Sequence, residues 1–386
     1  MTALIAAGDD LSLKAIGVGR LYVSNFRSYP SFLLDIHKPI ICLTGPNGSG
    51  KTNLLEAVSL LASRRGLRGA STDRFLHQGS GDHLSLVGGN EAGWSVNALL
   101  KNSDGMGFDI TTFTDPLKHK NRRCVTIDGQ RKRGVGAVQS LCHVCWLTPQ
   151  MDDVLDDGLR ARRDWFDHLL TGYEPAYGDQ LKAYEKCMRE RLSVLRGAND
   201  DRWLGLLEKQ MAQAAVGIMA DRVAFVERLS ACTRSLRTGF PHLSVHMDGV
   251  ESWLEEDGAF DVQTRLQGVW SQSRDRDRES GGMQEGPHKS DFVVTHELKK
   301  CPAYLCSTGE QKALILSALL GYVRLYRSVY DRPLIVLLDE VCSHLDAKHR
   351  AEILTELVHL GVQIWLTGTE KSVFDLSDDV CQWIEL

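Results

Sequence analysis

Eight residues near the start of the chain, Gly45-Pro46-Asn47-Gly48-Ser49-Gly50-Lys51-Thr52, have the types and spacing to hold a triphosphate. The glycines let successive backbone N–H groups turn inward around phosphate oxygens, and a helix starting at the loop points its positive dipole end at the same place. The flanks agree: the apolar run Pro39-Ile40-Ile41-Cys42-Leu43 reads as a strand, and residues 53–62 read as a helix. Lys51 would neutralise the β and γ phosphates, Thr52 would offer its hydroxyl to Mg²⁺, and Asn53 is grouped with the nucleotide-binding residues. An ordinary Gly-rich turn is the alternative, against which the strand-loop-helix context counts. Much further on, Leu334-Ile335-Val336-Leu337-Leu338 runs directly into Asp339-Glu340. Five uninterrupted apolar residues read as a buried parallel strand. Asp339 would hold Mg²⁺ at the strand's C-terminal edge, and Glu340 would polarise the attacking water.

Upstream of that strand, Ser307-Thr308-Gly309-Glu310-Gln311-Lys312 opens an apolar helical stretch. Physically this is an anion site: a serine hydroxyl, a glycine that admits close backbone approach, and a helix N-terminus. A serine N-cap on a core helix is the plainer reading. Ser-x-Gly-x-Gln just before a carboxylate strand resembles the signature motif of the ABC ATPases. That resemblance implies that Ser307, Gly309 and Gln311 meet the nucleotide held by a second copy. It also implies that Ser343-His344-Leu345-Asp346 is the D-loop, with His344 and Asp346 at the dimer seam. The strand over residues 362–366 ends in Thr367-Gly368-Thr369, and Thr367 and Thr369 stand at the switch. Transporter subunits usually carry histidine there. Gln150, in Pro149-Gln150-Met151-Asp152 after another apolar run, is the candidate Q-loop residue reaching Mg²⁺; a plain turn glutamine is the alternative.

The chain has 386 residues, enough for two or three domains, and its 43% hydrophobic content provides for a packed core. A net charge of −5 gives no global pull toward nucleic acid, so any DNA surface must be a local patch. Ten scattered cysteines include Cys142-His143-Val144-Cys145 but no second pair at ligand spacing, which favours buried free thiols over zinc. The first ten residues lack the basic start and apolar block of a secretory signal, and no apolar stretch reaches the roughly 18 residues of a membrane span. A soluble, cytoplasmic protein is expected.

The expected fold class is α/β: an ABC-type P-loop ATPase head interrupted by a compact, mostly helical arm domain. The head occupies residues 1–151 and 286–386, and the arm residues 152–285. Short strands and turns such as Gly88-Gly89-Asn90, Asp104-Gly105 and Asp128-Gly129 suggest an antiparallel lobe before residue 147. In the arm, Leu181, Tyr184, Met188, Leu192 and Leu195 recur at helical spacing, but heptads do not persist long enough for an extended coiled coil. The segment Arg274-Asp275-Arg276-Asp277-Arg278-Glu279-Ser280-Gly281-Gly282 reads as a solvated loop or helix end.

Residues outside the generic ATPase motifs narrow the resemblance further. Asn25-Phe26-Arg27-Ser28-Tyr29, residues 160–167, and Gly286-Pro287-His288-Lys289-Ser290-Asp291 make nearly the whole chain similar to the RecF family, bacterial recombination-mediator ATPases related to SMC heads. Lys289, Ser290 and Glu310 depart from the family's usual residues, and the first residues look like an extension. The resemblance implies ATP and Mg²⁺ as cofactors and a slow ATPase that acts as a switch. It implies an ATP-dependent homodimer on gapped DNA or single-strand/double-strand junctions, assisting RecA loading with RecO and RecR. The competing classes are an SMC-type or repair-nuclease head, which would need a long coiled coil, and a transporter subunit, which would need a membrane partner.

One independent hint concerns DNA. Arg122, Arg123, Arg131, Lys132 and Arg133 flank a turn with a single acid among them. They could contact phosphate, or guard an edge strand against aggregation. Arg64, Arg65 and Arg68 could contact DNA, sense a partner's nucleotide, or cap the preceding helix, the last being the safest reading. Arg27 could touch a phosphate or lie on the surface.

Overall fold

Four strands of the first compact unit are buried at every position: β3 (Ile40–Thr44), β8 (His143–Leu147), β12 (Leu334–Leu338) and β13 (Gln363–Gly368). Strands covered on both faces have no polar side to show, which is why they read as continuous apolar runs. With β14 (Cys381–Glu385) they form an all-parallel sheet in the order β14-β3-β13-β12-β8. The computed structural model describes residues 17–63, 65–77, 93–102, 104–115, 122–156, 158–197, 200–341, 345–374 and 376–386. Arg64, His344 and the turn at 88–90 lie outside the described residues.

The same unit holds a six-stranded antiparallel sheet ordered β2-β1-β4-β5-β6-β7. Its strands are β1 (Gly17–Phe26), β2 (Tyr29–Asp35), β4 (Ser95–Lys101), β5 (Gly107–Thr114), β6 (Arg123–Ile127) and β7 (Gln130–Lys132). Burial in β4 alternates residue by residue, as expected where one face packs on the core. Gln363, buried on β13, ties the two sheets: Val18 N donates to its Oε1 (3.0 Å) and its Nε2 donates to Val18 O (2.9 Å). A Cβ on Gly17 would come within 2.7 Å of that Oε1, so the close approach requires glycine. Helix α1 (Lys51–Ala62) touches strands of both sheets.

The second compact unit runs from Asp152 to Tyr326. It contains α2 (Leu159–Tyr173), α3 (Pro175–Arg196), α4 (Asp201–Arg234), α5 (Ala259–Gln272), α6 (Arg274–Ser280) and most of α7 (Thr308–Val329). A small antiparallel sheet, β11-β10-β9, joins them through β9 (Leu243–Asp248), β10 (Asp291–His296) and β11 (Cys301–Pro302). This compact unit extends past residue 285, where the sequence draws the end of the arm, to residue 326. The reason lies in packing: Tyr322 stacks edge-on to Phe225, and Gly321 lies so close to α4 that a Cβ would meet Thr233 Cγ2 at 2.5 Å. Helix α7 thus belongs to the body formed by α4.

Three described arginines in this unit, Arg162, Arg191 and Arg222, are buried with their partners. Arg191 donates to Glu208 (2.9 Å), Asp277 (2.8 Å) and the Trp270 carbonyl (2.7 Å). Arg274 adds a second guanidinium on Glu208. The charged segment at 274–282 is helical through Ser280 and keeps Asp275, Arg276, Glu279 and Ser280 exposed, but Asp277 is fully buried against Arg191, which neutralises it. The second hub, Arg222, binds Asp167 (2.9 Å), Glu251 (3.0 Å) and the Pro287 carbonyl (2.6 Å), with its guanidinium 5.3 Å from the Phe292 ring. Arg162 chelates Asp291 at 2.8 and 2.6 Å. His288 accepts or donates at Tyr184 Oη (2.7 Å), and burial drives its pKa down to about 4, so the imidazole is neutral. The residues that carried the family-specific resemblance at 160–167 and 286–291 are thereby brought together as the unit's polar core.

Candidate functional site

Parallel register puts the C-terminal ends of β3, β12, β13 and β8 along one sheet edge, the usual position for a ligand in an open α/β sheet. The phosphate loop leaves β3 there. Gly45, Gly48 and Gly50 have φ of +148°, +86° and +103°, values that an L side chain adopts only under strain. Gly50 has a further constraint, since a Cβ there would sit 2.5 Å from Tyr29 Oη and 2.7 Å from Ser28 Oγ. Lys51 is buried, and its ammonium donates to the carbonyls of Gly45 (2.7 Å) and Pro46 (2.8 Å), curled inside the loop it opens. The Ser49 hydroxyl is buried with no hydrogen-bond partner, a donor that a phosphate oxygen in the loop would satisfy. Pro46, Asn47 and Gly48 form the exposed rim.

The carboxylates meet this loop as the spacing predicts. Thr52 Oγ1 donates to Asp339 Oδ1 (3.0 Å), as does Thr367 Oγ1 (2.8 Å), and Glu340 N donates to Thr367 Oγ1 (2.8 Å). Thr367, which the resemblance put at the switch, bonds to both acids, whereas Thr369 is exposed past the end of β13. The Asp339 carboxyl is pushed above its ordinary pKa, chiefly by burial and secondarily by the Glu340 charge; the Thr367 and Thr52 hydroxyls and Arg68 oppose this. A carboxylate that burial disfavours is one that a divalent cation would relieve. With the Thr52 hydroxyl and the phosphate-facing loop beside it, the donor set fits Mg²⁺. Glu340 is half-buried with φ +55°, a strained backbone held at the mouth of the site. Gln150 is exposed in a short 3₁₀ turn that follows β8, the strand adjacent to β12, and Asp339 N donates to Leu147 O (3.0 Å).

Ser28, Tyr29 and Glu56 were not singled out for this site in the sequence. Asn53 Nδ2 donates to Ser28 Oγ (2.9 Å), and Arg68 donates to Asn53 Oδ1 (2.9 Å). Ser28 and Tyr29 therefore wall the loop, and burial raises the Tyr29 phenol to about 12. Arg27 is neither a free phosphate contact nor a surface side chain: it chelates fully buried Glu56 at 2.7 and 2.9 Å. The only sequence signal for this wall was the pattern Asn25-Phe26-Arg27-Ser28-Tyr29, with left-handed φ at Asn25 and Arg27.

The signature segment precedes α7. Gln311 is buried and its Nε2 donates to Cys306 O (3.2 Å); Ser307 and Gly309 are exposed, with nothing within 4 Å of a Cβ built on Gly309. Ser307 N donates to Glu310 Oε2 (3.1 Å), half of a capping box. Glu310 is held down to about 2, first by its bond with Lys299 and then by the Ser307 amide. Lys312 pairs with Asp152 at 2.7 Å. At the D-loop, Asp346 caps α8 (Ala347–His359), accepting from His349 N (2.9 Å) and facing His349 Nδ1 at 2.6 Å.

The basic hairpin forms as expected at β6 and β7, yet its arginines are not equivalent. Arg123 donates to Ser63 O (2.6 Å), Leu60 O and Thr112 Oγ1, so its guanidinium closes the C-terminus of α1 and is not available to DNA. Gln139 takes the Ala62 carbonyl (3.1 Å). These two side chains take carbonyls at the helix C-terminus, one of the roles open in sequence to the nearby arginines, and Arg68 reaches Asn53. Arg131 reaches Cys124 Sγ (3.1 Å), while Arg122 and Arg133 are exposed and Lys132 is half-buried on the edge strand. The Cys142-His143-Val144-Cys145 run is buried at the start of β8, where burial pushes the Cys142 thiol up to about 12. Among the described residues no group of three His, Cys, Asp or Glu is placed to hold a metal, and no helix is long and apolar enough to cross a membrane.

Residues 17–384 match the family model described as the RecF/RecN/SMC N terminal domain. The chain is 37% identical over 361 residues to the DNA replication and repair protein RecF of Mesorhizobium japonicum, covering 92% of both chains. Its fold superimposes on two solved structures of the recombination mediator protein RecF in the RecFOR pathway, described as RecF-ATPrS and RecF-ATP. The TM-scores are 0.81 and 0.80 at 21% and 20% identity, covering 95% of this chain in each case and 95% and 97% of those chains. An ABC-type ATPase head interrupted by a mostly helical arm, with a matched length running through both, has one home: the chain belongs to the RecF family of DNA replication and repair proteins.

Proposed function

We propose that this protein is an ATP-dependent DNA-binding switch of recombinational repair, which hydrolyses ATP slowly and closes as a dimer on gapped DNA or single-strand/double-strand junctions. The observation that carries the reading is the joint placement of Lys51, the unpartnered Ser49 hydroxyl and the Thr52–Asp339–Thr367 cluster at one sheet edge. Loop amides, Lys51 and Ser49 bind the phosphates of ATP, and Lys51 exchanges its two carbonyls for phosphate oxygens. Thr52 and Asp339, together with Gln150, would hold Mg²⁺, which would supply charge neutralisation at the β and γ phosphates. Ser307 and Gly309 of a second copy cover the same nucleotide, their exposure supporting a contact made in trans. His344 and Asp346 line that seam.

Hydrolysis ends the closed state. Glu340 accepts a proton from water as the water oxygen adds to the γ-phosphorus and the bond to the bridging oxygen breaks, leaving ADP and phosphate. Departure of the phosphate removes the charge that joined the two copies, and the dimer opens. Cooperation with RecR, RecO and RecA rests on the family and on the pathway named for the solved relatives. Arg122, Arg131, Lys132 and Arg133 remain the hairpin's candidates for phosphate contact. Their edge position suits aggregation control equally well.

The test is ATP-dependent binding to a gapped duplex against a blunt duplex, with particle mass measured in the same samples. The parent protein is expected to double in mass with ATP and to retain the gapped duplex preferentially. Lys51→Ala is expected to bind ATP at least about 100-fold more weakly, since charge-assisted contacts to phosphate are lost, and to stay monomeric. Equal dimerisation with and without ATP in the parent would overturn the reading.

A further inference from the structure

Two thiols stand directly beside the signature serine. Cys301 ends the hairpin that leaves β10, Cys306 immediately precedes Ser307, and their sulfurs are 3.6 Å apart. Both are partly exposed. The other described cysteines differ: Cys42, Cys124, Cys142, Cys145, Cys187 and Cys381 are buried, and Cys232, though partly exposed, is not paired with another cysteine in any described contact. Cys42 and Cys381 also approach each other, but they do so inside the parallel sheet, on strands β3 and β14. Among the described cysteines, Cys301 and Cys306 are thus the close pair that is partly exposed, and they lie at the signature.

The surrounding contacts show what a bond there would disturb. A short 3₁₀ turn, Ala303–Leu305, separates the two cysteines, and the Cys306 carbonyl receives Gln311 Nε2 while the next amide, Ser307 N, is held by Glu310. Lys299, from the same hairpin as Cys301, pairs with Glu310. The conformation of Ser307 thus hangs on the position of Cys306 through these light contacts. Drawing the sulfurs from 3.6 Å to a bond of about 2.05 Å must move Cys306, the turn, or both.

We propose that Cys301 and Cys306 form a reversible disulfide that displaces the signature serine and weakens ATP-dependent association, making the clamp sensitive to thiol oxidation. This deepens the proposed function and rests on it. The oxidant class is a low-molecular-weight disulfide. One cysteine thiolate attacks it and releases one thiol; the second cysteine then displaces the other half from the mixed disulfide. Two protons and two electrons leave the protein, and the oxidant becomes two thiols. Burial, then the contact with Cys301, pushes the Cys306 thiol up to about 11, so exchange through it is slow at neutral pH and accelerates with alkalinity.

The experiment treats the full chain with oxidised glutathione and follows three readouts: peptide mapping of the bond, ATP affinity of the monomer, and ATP-dependent particle mass. The expected result is a peptide linking Cys301 to Cys306, ATP affinity unchanged within about twofold, and association weakened about tenfold or more, reversed by a thiol reductant. Cys301→Ser is expected to associate like the reduced parent before and after treatment. A treated parent that carries the bond and associates unchanged overturns the regulatory role. Glutathione found only on Cys232, with no Cys301–Cys306 peptide, overturns the site. If the reduced parent itself fails to associate with ATP, the dimer reading falls and the regulatory role with it, while the mapping separately reports whether the bond forms.

Discussion

Glu340→Gln is expected to cut steady-state ATP turnover about 1,000-fold, the scale of losing a positioned general base, and to leave ATP-bound dimer accumulating on gapped DNA. The amide is nearly isosteric with the carboxylate and keeps the backbone bond from residue 340 N to Thr367 Oγ1, so the site's architecture survives. What goes is a proton acceptor at the point where β12 delivers the chain to the site. Asp339 is not expected to substitute, because its Oδ1 already accepts from both Thr52 and Thr367 and the proposed function gives this carboxylate to the cation. Phosphate release and particle mass, measured on the same preparation, check both halves. Turnover within about threefold of the parent, a difference of well under 1 kcal/mol in barrier, would remove Glu340 from the chemistry.

Arg222→Met is expected to destabilise the helical unit by about 3–5 kcal/mol, because removing one member of a buried ionic cluster strands the others. Arg222 is 1% exposed in its side chain and satisfies Asp167, Glu251, the Tyr177 hydroxyl and the Pro287 carbonyl at once. Methionine fills much of the volume but leaves two carboxylates uncompensated. Replacing Glu251 by Gln in the same chain should return part of the loss, since one stranded charge is then gone. Denaturant midpoints read at constant slope report the effect. A loss below about 1 kcal/mol would mean that water reaches the cluster and that burial overstates its role.

The contrast between what could and could not be foreseen follows sequence distance. The phosphate loop and the strand before Asp339 were legible because each is a contiguous run whose neighbours along the chain are also its neighbours in the fold. Asp339 meeting Thr52 was legible too, because two strands of one parallel sheet must end at the same edge. Arg123 was not: its partners Leu60 and Ser63 stand about sixty residues earlier, and a guanidinium that closes a helix is indistinguishable in sequence from one that faces solvent. Arg27 hid its pairing with Glu56 for the same reason. Asp277 lay in a run of alternating charges that looked solvated, yet Arg191, 86 residues away, draws it inside. Residues 286–326 carry ATPase motifs, yet Tyr322 and Gly321 pack on Phe225 and Thr233 of α4. Motif identity and packing allegiance are separate properties, and only the first is written locally.

The account's central claim is that two copies of this chain share each nucleotide, one giving Lys51 and Glu340 and the other Ser307. Mixing Lys51→Ala with Ser307→Arg tests it most directly. Each variant alone lacks one half of both sites and is expected to show turnover near background. A mixed dimer restores one complete site of two, so the equimolar mixture should turn over ATP well above either variant alone and at no more than about half the parental rate, the level reached when every chain is in a mixed dimer. Turnover by Ser307→Arg alone at the parental level, or a mixture no better than its components, would contradict a nucleotide shared between copies.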